Sequence, residues 1–231
     1  MTDPLTGATA RFLQAISPLS DEQMSMTSRL PNWTRGHVAT HVARNADAMA
    51  NLCTWATSGV QLPMYRSREE RDLHIEQGST RSASEIVADV RQSAVALESA
   101  IASLTDQALK TKIRMGAGAL GPEIPASKIA WMRLREVEIH LVDLDLSPTF
   151  SDTPIEFLNT LLADEISHFE NKMEGITLKS NEGERFKIGN GAQAISGSLA
   201  DLTAWLLGRA TDSELARLES PSPILAPPKW L

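Results

Sequence analysis

Residues 131–144 read W-M-R-L-R-E-V-E-I-H-L-V-D-L. Glu136 and His140 stand four positions apart in this stretch, so on a helix their side chains project from one face. Met132, Val137 and Leu144 share that side, which predicts a largely buried face. A bare carboxylate in such a place is costly unless a cation compensates it. Arg133 or Arg135 could do so as a plain ion pair. A metal ion shared with another ligand is the alternative.

That further ligand lies a hundred residues earlier, in W-T-R-G-H-V-A-T-H-V-A-R-N at 33–45, which also reads as helix. Two histidines and a carboxylate, here His41, Glu136 and His140, make a first shell for a divalent ion of the zinc type. Three protein ligands leave one position open for chemistry. Spacing alone does not choose between His41 and His37, nor between Glu136 and either Glu138 or Asp143. The single cysteine, Cys53, excludes both an intramolecular disulfide and a thiolate-rich zinc site. No activating base stands beside it in sequence, so it reads as a small buried hydrophobe.

Working outward, residues 5–16 have amphipathic helical spacing through Leu5, Phe12, Leu13 and Ile16. Ser20 with Gln23 has the form of a capping box. Pro31 closes that segment, and Thr34 opens a helix expected to reach about Ser58, with Trp33 and Val38 as a hydrophobic staple. Val38, Val42, Ala46 and Met49 form its apolar stripe, with His41 beside it. The stretch 59–80, rich in Gly, Pro and charge, reads as a long connection with His74 at the surface. Ser82 and Glu85 cap a third long helix to about Leu104. Three glycines and two prolines make 111–126 a loop, and a fourth helix runs from about Ala126 to Leu146. Four such helices predict a bundle, an architecture that builds metal sites from facing side chains.

The pattern changes after Ser147-Pro148. A helix is expected over 154–172, then a hairpin in I-T-L-K-S-N-E-G-E-R-F-K-I, a strand over 192–198 and a helix over 199–209. The tail P-S-P-I-L-A-P-P-K-W-L is too rich in proline for regular structure. The expectation is an α+β protein: a helical bundle over 1–147, then a smaller α/β domain over 148–231 with a short antiparallel sheet.

A net charge of −7 without any basic block argues against a nucleic-acid binder. The N-terminus lacks a signal pattern and no apolar run approaches spanning length, so no membrane partner and a cytoplasmic location are expected. A monomer is the default.

The 33–45 motif, followed by R-L-R-E-V-E-I-H-L-V-D-L, resembles the mycothiol-dependent maleylpyruvate isomerases, a two-domain branch of the DinB-like metal-binding four-helix bundles. The resemblance covers nearly the whole chain, including W-L-L-G-R at 205–209. It implies zinc ligation by His41, eight residues after Trp33, with Glu136 and His140. It also implies a catalytic arginine from the C-terminal domain, matched by Arg209 rather than Arg217 and expected to reach across a domain interface. The implied cofactors are Zn2+ and mycothiol. The implied reaction is cis-trans isomerisation of maleylpyruvate to fumarylpyruvate in gentisate-type aromatic degradation, by reversible thiolate addition. The competing readings are a mycothiol S-transferase acting on other electrophiles and a non-catalytic zinc-binding protein.

Overall fold

The computed structural model describes residues 3–170, 172–173 and 175–227. The first two residues of the N-terminal segment, residue 171 of the helix expected over 154–172, and 228–231 of the proline-rich tail lie outside the described residues. The chain divides into two compact units, Met1–Leu146 and Ser147–Leu231. Among the described residues are ten α-helices and two small sheets.

In the first unit, α1 (Pro4–Ile16) is capped by Asp3, whose carboxylate accepts from the Thr6 amide. Pro4 at the first turn needs no donor there. Leu5, Ala8, Phe12 and Ile16 form its buried stripe. A short α2 (Asp21–Ser25) carries the Ser20/Gln23 capping box. Helix α3 (Arg35–Ser58) starts at Thr34 and stops at Gly59 in the left-handed conformation. His37, at the third helical position, completes a capping box with Thr34. After α4 (Arg68–Ser79) come α5 (Ala83–Ala102), with the Ser82/Glu85 box, and a short α6 (Asp106–Lys110). Strands β1 (Lys112–Arg114) and β2 (Glu123–Pro125) pair antiparallel, and a 3-10 turn at Ala126–Lys128 leads into α7 (Ile129–Asp143).

Helix α3 packs on both α5 and α7, and α1 packs on the same two helices. That closes the four-helix bundle, and it explains why α3 is buried on most of its circumference. One apolar cluster joins Phe12, Ile16, Val38, Val42, Ile86, Val90, Val137 and Leu144. The other joins Met49, Leu52, Cys53, Leu97, Ile113 and Ile129.

Two readings of the connections need correction. The stretch 59–80 is not one long loop, because α4 occupies most of it. Ser67 caps this helix by accepting from the Glu70 amide, and Glu69 and Glu70 sit favourably in its first turn. Only Ile75 and Gly78 are buried, so the apolar stripe that usually announces a helix is missing. Gly78 is where α4 meets α3: a Cβ there would lie 2.4 Å from the Thr40 methyl. The stretch 111–126 likewise holds the β1–β2 pair instead of only a loop. Strands so short, with Ile113 alone buried, leave no alternation to read.

The second unit begins with a 3-10 turn at Phe150–Asp152 and α8 (Ile155–Phe169). Strands β3 (Ile176–Ser180), β4 (Arg185–Ile188) and β5 (Gln193–Gly197) form one sheet in the order β4-β3-β5. Helices α9 (Leu199–Leu206) and α10 (Asp212–Leu215) follow. The sheet is mixed: β3 and β4 make the expected hairpin, but β5 joins the other edge of β3 in parallel. The loop 189–192 crosses the start of β3 and places the last strand there. No described helix is long and apolar enough to cross a membrane.

Candidate metal centre

Helices α3 and α7 bring His41, Glu136 and His140 together inside the bundle, all three buried. One ligand atom from each lies within 4.8 Å of the other two. Glu136 Oε2 is 3.1 Å from His41 Nε2 and 3.5 Å from His140 Nε2. Donors about 2.0–2.1 Å from a tetrahedral ion stand roughly 3.3 Å from each other, so the spacing fits a zinc-sized cation. The two imidazoles meet edge to face, 4.6 Å between centroids, and Trp33 tilts against His41 at 5.6 Å.

The residues that spacing left open are engaged elsewhere. His37 Nδ1 accepts from the Thr34 amide, and its Nε2 meets Glu76 on α4 at 3.1 Å. Glu138 pairs with Arg11 on α1. Asp143, fully buried, accepts a hydrogen bond from His140 Nδ1 at 2.9 Å. That contact turns His140 Nε2 toward the centre, the usual carboxylate support behind a ligating imidazole.

Electrostatics separates the two histidines. Burial dominates at His41 and lowers its pKa to about 4, despite its hydrogen bond to Glu136. Burial also opposes charge on His140, but Asp143 and Glu136 outweigh it and raise its pKa. Burial would raise the Glu136 carboxyl, yet the two histidines hold it well below the ordinary carboxylate range. Glu136 is thus held as a buried carboxylate between two imidazoles.

Arg133, one of the two arginines that offered a plain ion pair, is 1% exposed and does more than neutralise charge. Its Nη1 donates to Val42 O at 2.8 Å and Asn45 Oδ1 at 2.9 Å, tying α7 to α3 one turn from His41 and Glu136. Two residues near the centre escaped the sequence reading. Arg71 on α4 places Nη2 3.3 Å from His41 Nδ1, and its Cζ lies 5.9 Å from the Tyr65 ring centroid. Burial pushes the Tyr65 hydroxyl up to about 12, against the pull of Arg71. The Ser67-x-x-Glu70 pattern could have revealed α4, and with it Arg71.

Cys53 is buried in the second apolar cluster, and burial pushes its thiol up to about 11. It is a poor nucleophile there. His74 is exposed on α4, and His168 is exposed on α8.

In the second unit, Trp205-Leu-Leu-Gly-Arg209 is the end of α9. The Gly208 amide donates to Trp205 O and the Arg209 amide to Ala204 O, the paired bonds of a Schellman motif. Gly208 has φ +69, a conformation costly for any residue with a Cβ. The motif fixes Arg209 just beyond the helix, where its Nη1 donates to Leu207 O at 2.6 Å. Arg217 donates through Nε and Nη2 to both oxygens of the buried Asp201.

The chain matches the family described as the mycothiol maleylpyruvate isomerase N-terminal domain over residues 5–145. It is similar to a solved mycothiol-dependent maleylpyruvate isomerase, with 32% identity over 98% of this chain and 94% of that one, and a TM-score of 0.89. A histidine-to-alanine mutant of a mycothiol-dependent maleylpyruvate isomerase aligns over the same shares at 31% identity and TM-score 0.89. No curated protein sequence matches.

Proposed function

Because this chain belongs to the mycothiol maleylpyruvate isomerase family and is an isomerase, we propose that it converts maleylpyruvate to fumarylpyruvate with zinc and mycothiol. The carrying observation is the buried His41, Glu136 and His140 set at ligand spacing.

A carbon–carbon double bond does not rotate until its order is reduced. Mycothiol would supply the means, a thiolate able to add reversibly to the conjugated alkene, lower its bond order and leave again as the free thiol. A divalent ion of the zinc type supplies the positive charge that keeps a thiol in its anionic form near neutral pH. His41, Glu136 and His140 would hold that ion. Two neutral imidazoles and one carboxylate would leave a divalent ion a net positive charge. Asp143 orients His140, and the surrounding helices exclude water, which strengthens every charge interaction inside. The chain need not provide a nucleophile of its own, in keeping with the state of Cys53.

Such an addition would send an electron pair toward the substrate's carbonyl oxygen. We assign Arg209 to a substrate carboxylate or to that developing charge, because a guanidinium offers a two-pronged fork of donors. The family motif W-L-L-G-R at 205–209 singles out Arg209 over Arg217.

The test is anaerobic incubation with maleylpyruvate, with and without mycothiol, followed by ultraviolet absorbance and a free-thiol assay. Trans product should form only with the thiol present, and the thiol should be recovered in full. Consumption of one thiol per product would instead mark an S-transferase. Turnover without mycothiol would overturn the thiol mechanism.

A further inference from the structure

His41 and His140 present Nε2 to the same carboxylate but are supported oppositely from behind. His140 Nδ1 faces the Asp143 carboxylate, so its proton sits on Nδ1 and Nε2 is available to an ion. His41 Nδ1 faces Arg71 Nη2 at 3.3 Å. A guanidinium has only donors, so here Nδ1 accepts and the ring proton lies on Nε2, pointing at Glu136. An imidazole ligating through Nε2 needs the reverse arrangement, with the proton on Nδ1. An Nδ1–H and an Arg71 N–H cannot face each other. Loading the centre therefore releases Arg71 from His41.

Beside Arg71 are donors with nothing to bond. The Tyr65 hydroxyl is shut off from solvent and donates to no acceptor, the polar side chain over its ring being the Arg71 guanidinium, itself only a donor. Arg133 Nη2 is likewise buried and unpartnered, although its Nη1 is fully used. Arg133 stands one turn before Glu136 on α7, and its partner Asn45 one turn after His41 on α3. Buried polar groups are rarely left unmatched, and these two flank the ion site. The other contact of Arg71, to the exposed Asp72 carboxylate, is an easily exchanged surface pair. Two guanidinium groups and a hydroxyl, next to a centre that is net positive once loaded, favour an acceptor-rich anion.

We propose that Arg71, released from His41 when the metal binds, joins the Tyr65 hydroxyl in holding a carboxylate of the substrate beside the ion. The assignment rests on the metal reading above. It makes Arg71 a substrate-binding residue of the first unit and gives the metal a second role, that of opening the anion site.

Maleate without thiol is a suitable probe, since it has the cis-dicarboxylate and no turnover can occur. Calorimetry is run on metal-loaded wild type, Arg71→Met, Arg71→Lys and Tyr65→Phe, with metal content measured on each sample. All four should carry the same metal load. Maleate affinity should fall about 10- to 100-fold in Arg71→Met, with partial recovery in Arg71→Lys and a smaller loss in Tyr65→Phe. Nitrogen-15 spectra of the wild type should show the His41 proton moving from Nε2 to Nδ1 on loading. Metal-loaded wild type that does not bind maleate, or Arg71→Met that binds it normally, overturns the carboxylate site while leaving the metal centre intact. A wild type that takes up no metal overturns both.

Discussion

His41→Ala should purify as a folded protein with metal at background and no measurable isomerisation. The side chain lies beside the apolar stripe of α3, not within it, so circular dichroism should match wild type. Residues that merely support a metal ligand cost about 10- to 100-fold in affinity or activity when removed, and loss of a ligand itself costs more. Turnover should therefore drop by more than about a hundredfold in step with the metal. Glu136 would keep one histidine partner, His140 at 3.5 Å, so its charge is not stranded. An active His41→Ala protein containing no metal would remove the triad from the mechanism.

Arg209→Lys is expected to keep the metal and lose catalysis. Lysine retains the charge but replaces a planar, two-pronged donor with a single point, and kcat/KM should fall by about 10- to 100-fold. The Schellman turn before it is set by backbone bonds and Gly208, so the substitution leaves α9 intact. Arg217→Lys serves as the contrast. It loosens the grip on the buried Asp201, so it should lower Tm while sparing turnover. Wild-type kinetics in Arg209→Lys would end that residue's assignment.

Much of the bundle was legible because its helices announce their ends. Thr34 and Gly59 bracket α3, and Ser82 with Glu85 opens α5. The i, i+4 pair on α7 put a carboxylate and an imidazole on a face that the apolar pattern already called buried. Spacing could not tell His41 from His37, since both lie on the first two turns of α3. The difference is tertiary: α4 supplies Glu76 to one and α7 supplies Glu136 to the other. The family motif carried that choice, together with the preference for Glu136 over Glu138.

What escaped is equally physical. Helix α4 buries one large apolar side chain, Ile75, so its charges read as a loop although Ser67 and Glu70 spell a helix start. Arg71 was hidden with it. The second role of Arg133, bonding across to α3, depends on facing backbone that no periodicity reveals. In the second unit, the alternating runs disclosed the β3–β4 hairpin. Nothing in β5 itself told which edge of β3 it would take.

Cobalt substitution tests the central claim most directly. Cobalt(II) takes the same nitrogen and oxygen ligands as zinc, and a thiolate bound to it gives an intense near-ultraviolet charge-transfer band. Titrating mycothiol into the cobalt-loaded protein should raise that band to a plateau at one thiol per metal, with no band in His41→Ala. A cobalt-loaded wild type whose spectrum is unchanged by saturating mycothiol would contradict the account.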